Sequence, residues 1–307
     1  MYRALIYAAV ALTFVVVVVG AYVRLSDAGL GCPDWPLCYG QPLPGDIANT
    51  DALARAWKEM GHRYLAGTLG LLIAAIALAA WRLRRSPRLA SAVLALVIFQ
   101  ATLGAWTVTM LLKPAIVTAH LLGGMSILAL LAWLALEQRV LAPAPAMRVL
   151  RPAAALALAA LVVQIALGGW VSSNYAALAC PDLPLCRGEI VPPMDFANTF
   201  HVVRELGEAP DGTLLPLEAL TAIHWSHRVF AAVVVLAVGW AALGTFRLHK
   251  GLSFALGATL ALQFSLGVAN VAFGLPLPLA AAHNAGAALL LVVLVVLNFL
   301  SFRGLRL

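Results

Sequence analysis

Charge is what this chain has least of. Only 11% of its 307 residues are charged, 13 of them acidic against 20 basic. With 63% hydrophobic residues and a mean hydropathy of +0.95, that scarcity excludes a disordered segment or an ordinary soluble domain and places the chain among integral membrane proteins. The long apolar segments lack the strict alternation of barrel strands, which leaves helices as the spanning element. Cysteine is nearly absent as well: four residues, none in the Cys-x2-Cys spacing usual for zinc. A cleavable leader is not indicated either. The first apolar run is too long for a signal-peptide core, and Tyr22-Val23-Arg24 offers no small-residue cleavage site.

Eight stretches reach the ~20 apolar residues that a span requires, near 4–24, 59–81, 89–111, 115–136, 150–173, 219–244, 252–273 and 279–301. The expected fold class is therefore all-α integral membrane, with eight transmembrane helices. With a cytoplasmic amino terminus, the inner segments hold 12 basic residues and one acid, Glu137; the outer segments hold 8 basic residues and 12 acids. This positive-inside pattern sets both termini in the cytoplasm of a cell membrane. It also accounts for the net charge of +7 without a nucleic-acid partner, for which nothing in the sequence speaks.

The chain repeats itself. Gln100-Ala101-Thr102-Leu103-Gly104 matches Gln263-Phe264-Ser265-Leu266-Gly267 at an offset of 163, which also relates His120 to His283. Cys32-Pro33-Asp34 with Pro36-Leu37-Cys38 matches Cys180-Pro181-Asp182 with Pro184-Leu185-Cys186 at an offset of 148. The repeating unit is a four-helix group, residues 1–140 and 141–307, and an even number of helices per unit makes the two copies parallel. The resulting expectation is two pseudo-symmetric four-helix bundles. The long outer loops 25–58 and 174–218 are each expected to carry a short surface helix, at 47–58 and 195–207. All four cysteines fall on the outer, oxidising side, where two close pairs predict Cys32–Cys38 and Cys180–Cys186 disulfides. A four-thiolate metal site is the alternative, disfavoured by spacing and by the matching place of each pair in its repeat.

His62, His120, His227 and His283 stand near the outer ends of the second, fourth, sixth and eighth spans. The reading places each within about one helical turn of that end, with Gly61-His62-Arg63 opening its helix. Ionisable side chains inside a membrane face the bundle interior. Two helices that both start at the outer surface carry their histidines at one depth, so each pair can clasp a flat macrocycle, one imidazole per face. Zinc wants three or four ligands; two axial nitrogens suit a haem, whose porphyrin supplies the other four. Gly67, Gly70, Gly104, Gly123 and Gly124 sit where a flat ligand or close helix packing needs room.

The two halves differ at one place. Glu59 lies three residues before His62, where His224 lies three residues before His227; positions i and i+3 share a helix face. The first half then reads as the reaction site, with Glu59 as acid, base or charge stabiliser, and the second as an electron-transfer site. The bland alternative pairs Glu59 with Arg63 or Lys58. Arg24, Arg63 and Arg228 are placed either to meet haem propionates or to face solvent. Gln100, Gln164 and Gln263 read as helix-to-helix hydrogen-bonding amides. Val16 stands where Gln164 would be matched, which suggests no paired role for that glutamine. His201 and His249 read as surface residues.

Taken together, Gly29-Leu30-Gly31-Cys32-Pro33-Asp34-Trp35-Pro36-Leu37-Cys38, Glu59-x-x-His62-Arg63, Ala119-His120, His227-Arg228 and Ala282-His283 resemble the haem A synthase family over essentially the whole chain. The resemblance implies a substrate haem O between His62 and His120, a haem b on His227 and His283, Glu59 as the catalytic candidate, and Cys32 with Cys38 as a redox-active or structural pair. It implies oxidation of the C8 methyl of haem O to a formyl group by successive hydroxylations, giving haem A for terminal oxidases. The substrate would come from a membrane haem O synthase. Electron donor and acceptor, and association into a homo-oligomer, are left open. The competing class is a non-catalytic di-haem b-type electron carrier, which has no need of a carboxylate beside one haem alone; a haem transporter would not need two unequal sites.

Overall fold

In a computed structural model, which describes residues 1–45 and 49–306, eight α-helices are each long and apolar enough to cross a membrane. They are α1 (Tyr2–Leu25), α2 (Thr50–Leu83), α3 (Pro87–Thr109), α4 (Pro114–Glu137), α5 (Arg151–Ser173), α6 (Leu217–Phe246), α7 (Lys250–Ala272) and α8 (Leu277–Arg303). Proline in the first turn starts α3, α4, α5 and α8, where its missing N–H costs no hydrogen bond. Gly304, at φ +67°, closes α8 in the left-handed conformation.

Within the first four helices α1 packs on α2 and α4, and α3 on α2 and α4; α5 to α8 pack among themselves in the same way. The two sets meet through α1, α4, α5 and α8. The most buried helix is α8, while α3 and α7 turn most of their surface outward. Polar ties cross this seam. The Asn298 amide on α8 donates to the Ala154 carbonyl on α5 (2.9 Å), and the Arg24 guanidinium on α1 donates to the Ser172 carbonyl (3.0 Å). At the end carrying both termini, Glu137 pairs with Arg303 (2.8 Å) and accepts from Ser86 Oγ (2.6 Å). There Ala142–Pro143 also forms a two-residue antiparallel ladder with Leu305–Arg306.

Three expectations need correction. The second span begins at Thr50, not near 59: the Asn49 side chain accepts the N–H groups of Asp51 and Ala52, capping a helix that runs on without a break. The surface helix expected at 47–58 is thus, from Thr50 on, the first part of α2; residues 47 and 48 lie outside the described residues. No helix forms at 195–207. The Asp195 carboxylate instead binds the Asn198 amide (2.7 Å) in a local turn, and Gly207 at φ +80° turns the chain again. Finally, His62 is twelve residues into α2 and His227 ten into α6, whereas His120 and His283 are six into α4 and α8. Gly61-His62-Arg63 therefore opens no helix.

Asn298→Ala removes the amide that ties α8 to α5 and should lower stability by ~0.6–1.7 kcal/mol, the scale of hydrogen bonds between membrane helices. Denaturant titration in detergent reads this directly; an unchanged midpoint would show that the seam does not depend on the bond.

Candidate active site

A single cavity of about 1210 Å³ opens inside the bundle and is lined by all four of His62, His120, His227 and His283, together with Glu59 and His224. Each of the four histidine rings rests on a glycine of the preceding helix. His62 sits on Gly20 of α1, His120 on Gly104 of α3, His227 on Gly168 of α5 and His283 on Gly267 of α7. A Cβ at these glycines would stand 2.8 Å from the His62 ring and 3.1 Å from each of the other three, so glycine is what lets the rings lie flat against the wall. The sequence reading singled out Gly104 but missed Gly20 and Gly168, whose signal was the 148-residue offset already seen in the cysteine loops.

Nδ1 of each of these histidines is buried without a hydrogen-bond partner, an uncommon state for a polar atom in a folded protein. Among the described residues no three metal-binding side chains converge. Paired imidazoles that converge on a roomy apolar cavity without a third ligand fit a haem, which brings its own four nitrogens, and do not fit a tetrahedral metal.

Glutamines reinforce three of the four histidines. Gln100 donates to the His120 carbonyl (2.6 Å) and Gln164 to the His227 carbonyl (3.0 Å); Gln263 Nε2 lies 3.3 Å from His283 Nε2. Gly123 and Gly286 leave the space that Gln100 and Gln263 occupy. Gln164 therefore does have counterparts, in Gln100 and Gln263. His62, with Val16 on its neighbouring helix, is the histidine left without an amide.

Glu59 is buried and holds down the first cysteine loop. Its Oε2 accepts the Cys32 N–H (2.9 Å) and its Oε1 pairs with Arg63. Arg63 in turn donates to the carbonyls of Asp34 (2.9 Å) and Leu37 (2.8 Å). The pairing with Arg63 is the alternative raised from sequence, and it coexists with a place on the cavity wall; Lys58 lies instead over the Tyr22 ring. In the second half His224 takes over the loop contact, accepting the Cys180 N–H at Nδ1 (3.2 Å). Arg228 makes one contact, to the Pro184 carbonyl at 3.3 Å, and its Nη1 is buried without a partner. Arg24 donates from Nη2 to the Ser172 carbonyl and lies over the Tyr175 ring face, 4.0 Å away. Of the three arginines expected to meet a carboxylate, Arg24 and Arg228 both line the cavity and each keeps a buried nitrogen without a partner, Nε of Arg24 and Nη1 of Arg228.

Each loop closes on itself. Cys32 pairs with Cys38 and Cys180 with Cys186, with Cα atoms 4.8 and 4.6 Å apart, and no cysteine is left for a shared metal. Asp34 accepts the N–H groups of Gly40 (2.8 Å) and Tyr39 (2.6 Å), which hold its carboxyl below the ordinary carboxylate range. Asp182 does the same with Gly188 and Arg187. His201 is exposed, and His249 caps α7 by accepting the Leu252 N–H.

A family model described as cytochrome oxidase assembly protein (COX15-CtaA) matches residues 3–295. The chain is 41% identical over 306 residues to the heme A synthase of Shewanella oneidensis, covering 94% of this chain and 92% of the relative. It is 30% identical to that of Caulobacter vibrioides, over 92% and 91% of the two chains. The heme A synthase of Halalkalibacterium halodurans is 31% identical over 71% of this chain and 73% of its own length.

Because Arg63 joins Glu59 to two loop carbonyls, Arg63→Ala should free the 32–41 loop. Amide exchange at Cys32 should rise about tenfold or more, on the scale of one lost charge-assisted hydrogen bond. Arg228→Ala should change exchange at Cys180 by a few-fold at most, since that N–H is held by His224. Equal effects would contradict the difference between the loops.

Proposed function

We propose that this chain, which belongs to the cytochrome oxidase assembly protein family (COX15-CtaA), acts as a haem A synthase, a membrane oxidoreductase that converts haem O to haem A. The observation that carries the reading is the set of four histidines, each on its glycine seat around one cavity, in a chain 41% identical over 94% of its length to a heme A synthase. The first half, residues 1–140, would hold the substrate between His62 and His120. The second, 141–307, would hold a haem b between His227 and His283, which when bound supplies one-electron transfer. Both termini would lie in the cytoplasm and the cysteine loops outside, with substrate handed on by a membrane haem O synthase.

The unequal walls of the cavity support this assignment. Gly70 on α2 and Ala101 on α3 line it in the first half; their repeat counterparts, at the offsets of His62 to His227 and His120 to His283, are Val235 and Phe264, which line it in the second. A Cβ added at Gly67 or Gly70 would meet nothing within 4 Å. Haem O differs from haem b by a long isoprenoid chain in place of a vinyl group, so the half with the open wall is the one that admits it.

The reaction takes R–CH3 to R–CH2OH and then to R–CH(OH)2, each step adding one oxygen atom and oxidising the carbon by two electrons that an acceptor outside this chain must take up, and the diol loses water to give R–CHO. What this chain contributes is position, dryness and proton handling. The histidine pair sets the depth of the ring, the Cys32–Cys38 loop closes over it, and Glu59 offers a carboxylate one turn from His62. Arg63 and the Cys32 N–H keep that carboxylate fixed, and in an apolar site its charge acts strongly on nearby atoms. A di-haem electron carrier would have no need of a negative charge at this place, since His224 holds the second loop without one.

The test is conversion of added haem O by the purified protein. Replacing His227 or His283 should remove the haem b spectrum, whereas replacing His62 or His120 should abolish conversion and spare that spectrum; the opposite pattern would reverse the halves. Glu59→Gln should keep both haems bound and stall at haem O or its alcohol, and undiminished haem A formation by a folded Glu59→Gln protein would remove Glu59 from the chemistry. Combining Gly70→Val with Ala101→Phe should cut conversion about tenfold or more, the effect of ~1–3 kcal/mol of overpacking, with haem b unchanged. Full activity in that double variant would rule out the open wall as the substrate's seat.

A further inference from the structure

We infer that Trp35 caps the substrate site, and that it holds the alcohol made by the first oxidation in place until the second has occurred. The inference rests on the proposal that haem O is oxidised between His62 and His120. Trp35 lines the cavity and is nonetheless 45% exposed, so its side chain stands in the mouth, between the cavity and the surface. The loop that carries it is fixed from several directions. Arg63 donates to the carbonyls of Asp34 (2.9 Å) and Leu37 (2.8 Å), one on each side of Trp35. Glu59 accepts the Cys32 N–H (2.9 Å), and the Cys32–Cys38 disulfide is buried with Ala56 and Met60 of α2. Gly31 lets the loop touch the helix backbone: a Cβ there would stand 2.6 Å from the Arg55 carbonyl. The second loop has Ala179 at that place.

The two halves place their tryptophans differently. At the offset of the cysteine loops Trp35 corresponds to Leu183, and at the offset of His62 to His227 Met60 corresponds to Trp225; all four residues line the cavity. Each half thus puts one tryptophan on the wall beside its loop. In the second half it belongs to α6, and its indole N–H donates to the Ile190 carbonyl (2.9 Å). In the first half it belongs to the loop itself, directly over the space where chemistry is proposed. An indole offers a broad flat face to the edge of a macrocycle, which leucine cannot. A two-stage oxidation creates the need for such a cap. R–CH2OH is more polar than R–CH3, and unless it is retained it leaves before becoming R–CH(OH)2. A side chain that shuts the mouth from the loop supplies that retention without disturbing the histidine pair on α2 and α4.

The experiment supplies haem O to the full-length protein and measures the ratio of released haem alcohol to haem A, the rate of haem O consumption, and amide exchange at Cys32. Trp35→Leu, which installs the second-half residue, should raise that ratio about five- to tenfold, the scale of one aromatic contact, while haem O is consumed at close to the wild-type rate. Trp35→Phe keeps a flat ring and should stay near the wild-type ratio. Exchange at Cys32 should match wild type in both variants, because the ties of the loop run through its backbone and not through the indole. A wild-type ratio in Trp35→Leu, or an equal rise in Trp35→Phe, would overturn the inference. So would a ratio that rises only together with Cys32 exchange, which would assign the effect to a loosened loop. A wild-type protein that converts no haem O would overturn the underlying reading, and the inference with it.

Discussion

Four imidazoles lie inside an apolar bundle because four glycines let them. Each ring is laid against the backbone of the neighbouring helix at a point where a methyl group would stand 2.8–3.1 Å from it. With Gln100, Gln164 and Gln263 bracing three of them from the same neighbouring helices, the rings are fixed by helix packing rather than by loops. That matters in a membrane interior, where helices gain nothing from hydrophobic burial against one another and depend on close fit and a few hydrogen bonds. Everything else in the site is arranged around this constraint: the cavity lies between the rings, and the cysteine loops lie over it.

The repeated frame is used for two unequal ends. Glu59 and His224 occupy one structural place and do one structural task, accepting the N–H of the first cysteine in their loop. They differ in chemistry, since only the carboxylate carries negative charge to the cavity wall and pairs with an arginine. Around His62 the wall is Val16, Gly70 and Ala101; around its counterpart it is Gln164, Val235 and Phe264. An enzyme that keeps one haem and turns over another needs a tight seat and a roomier one, and the divergence of the two repeats at these positions supplies both.

Much of this was legible in the sequence. Eight spans, the two loops with their cysteine pairs, and the four histidines follow from hydropathy, charge placement and two internal offsets. The second span was misjudged because Asn49 and Asp51 start a helix in polar sequence, where hydropathy is silent. His62 was consequently placed too near its helix end, while His227, ten residues into α6, lies deeper than one turn although the start of that span was read to within two residues. Gly20 and Gly168 escaped notice because a glycine in an apolar helix is common, and its partner ring is visible only in three dimensions. Arg63 could not be assigned either: its partners are backbone carbonyls of a loop, which leave no mark in the residues that carry them.

The central claim is that one cavity holds two haems of different kinds, one in each half. Pigment extraction from the purified wild-type protein, with identification and counting of every haem, tests it most directly. The account predicts haem b together with haem O or haem A in the same preparation. Two haems b per chain with no haem O or haem A, or no haem at all, would contradict it.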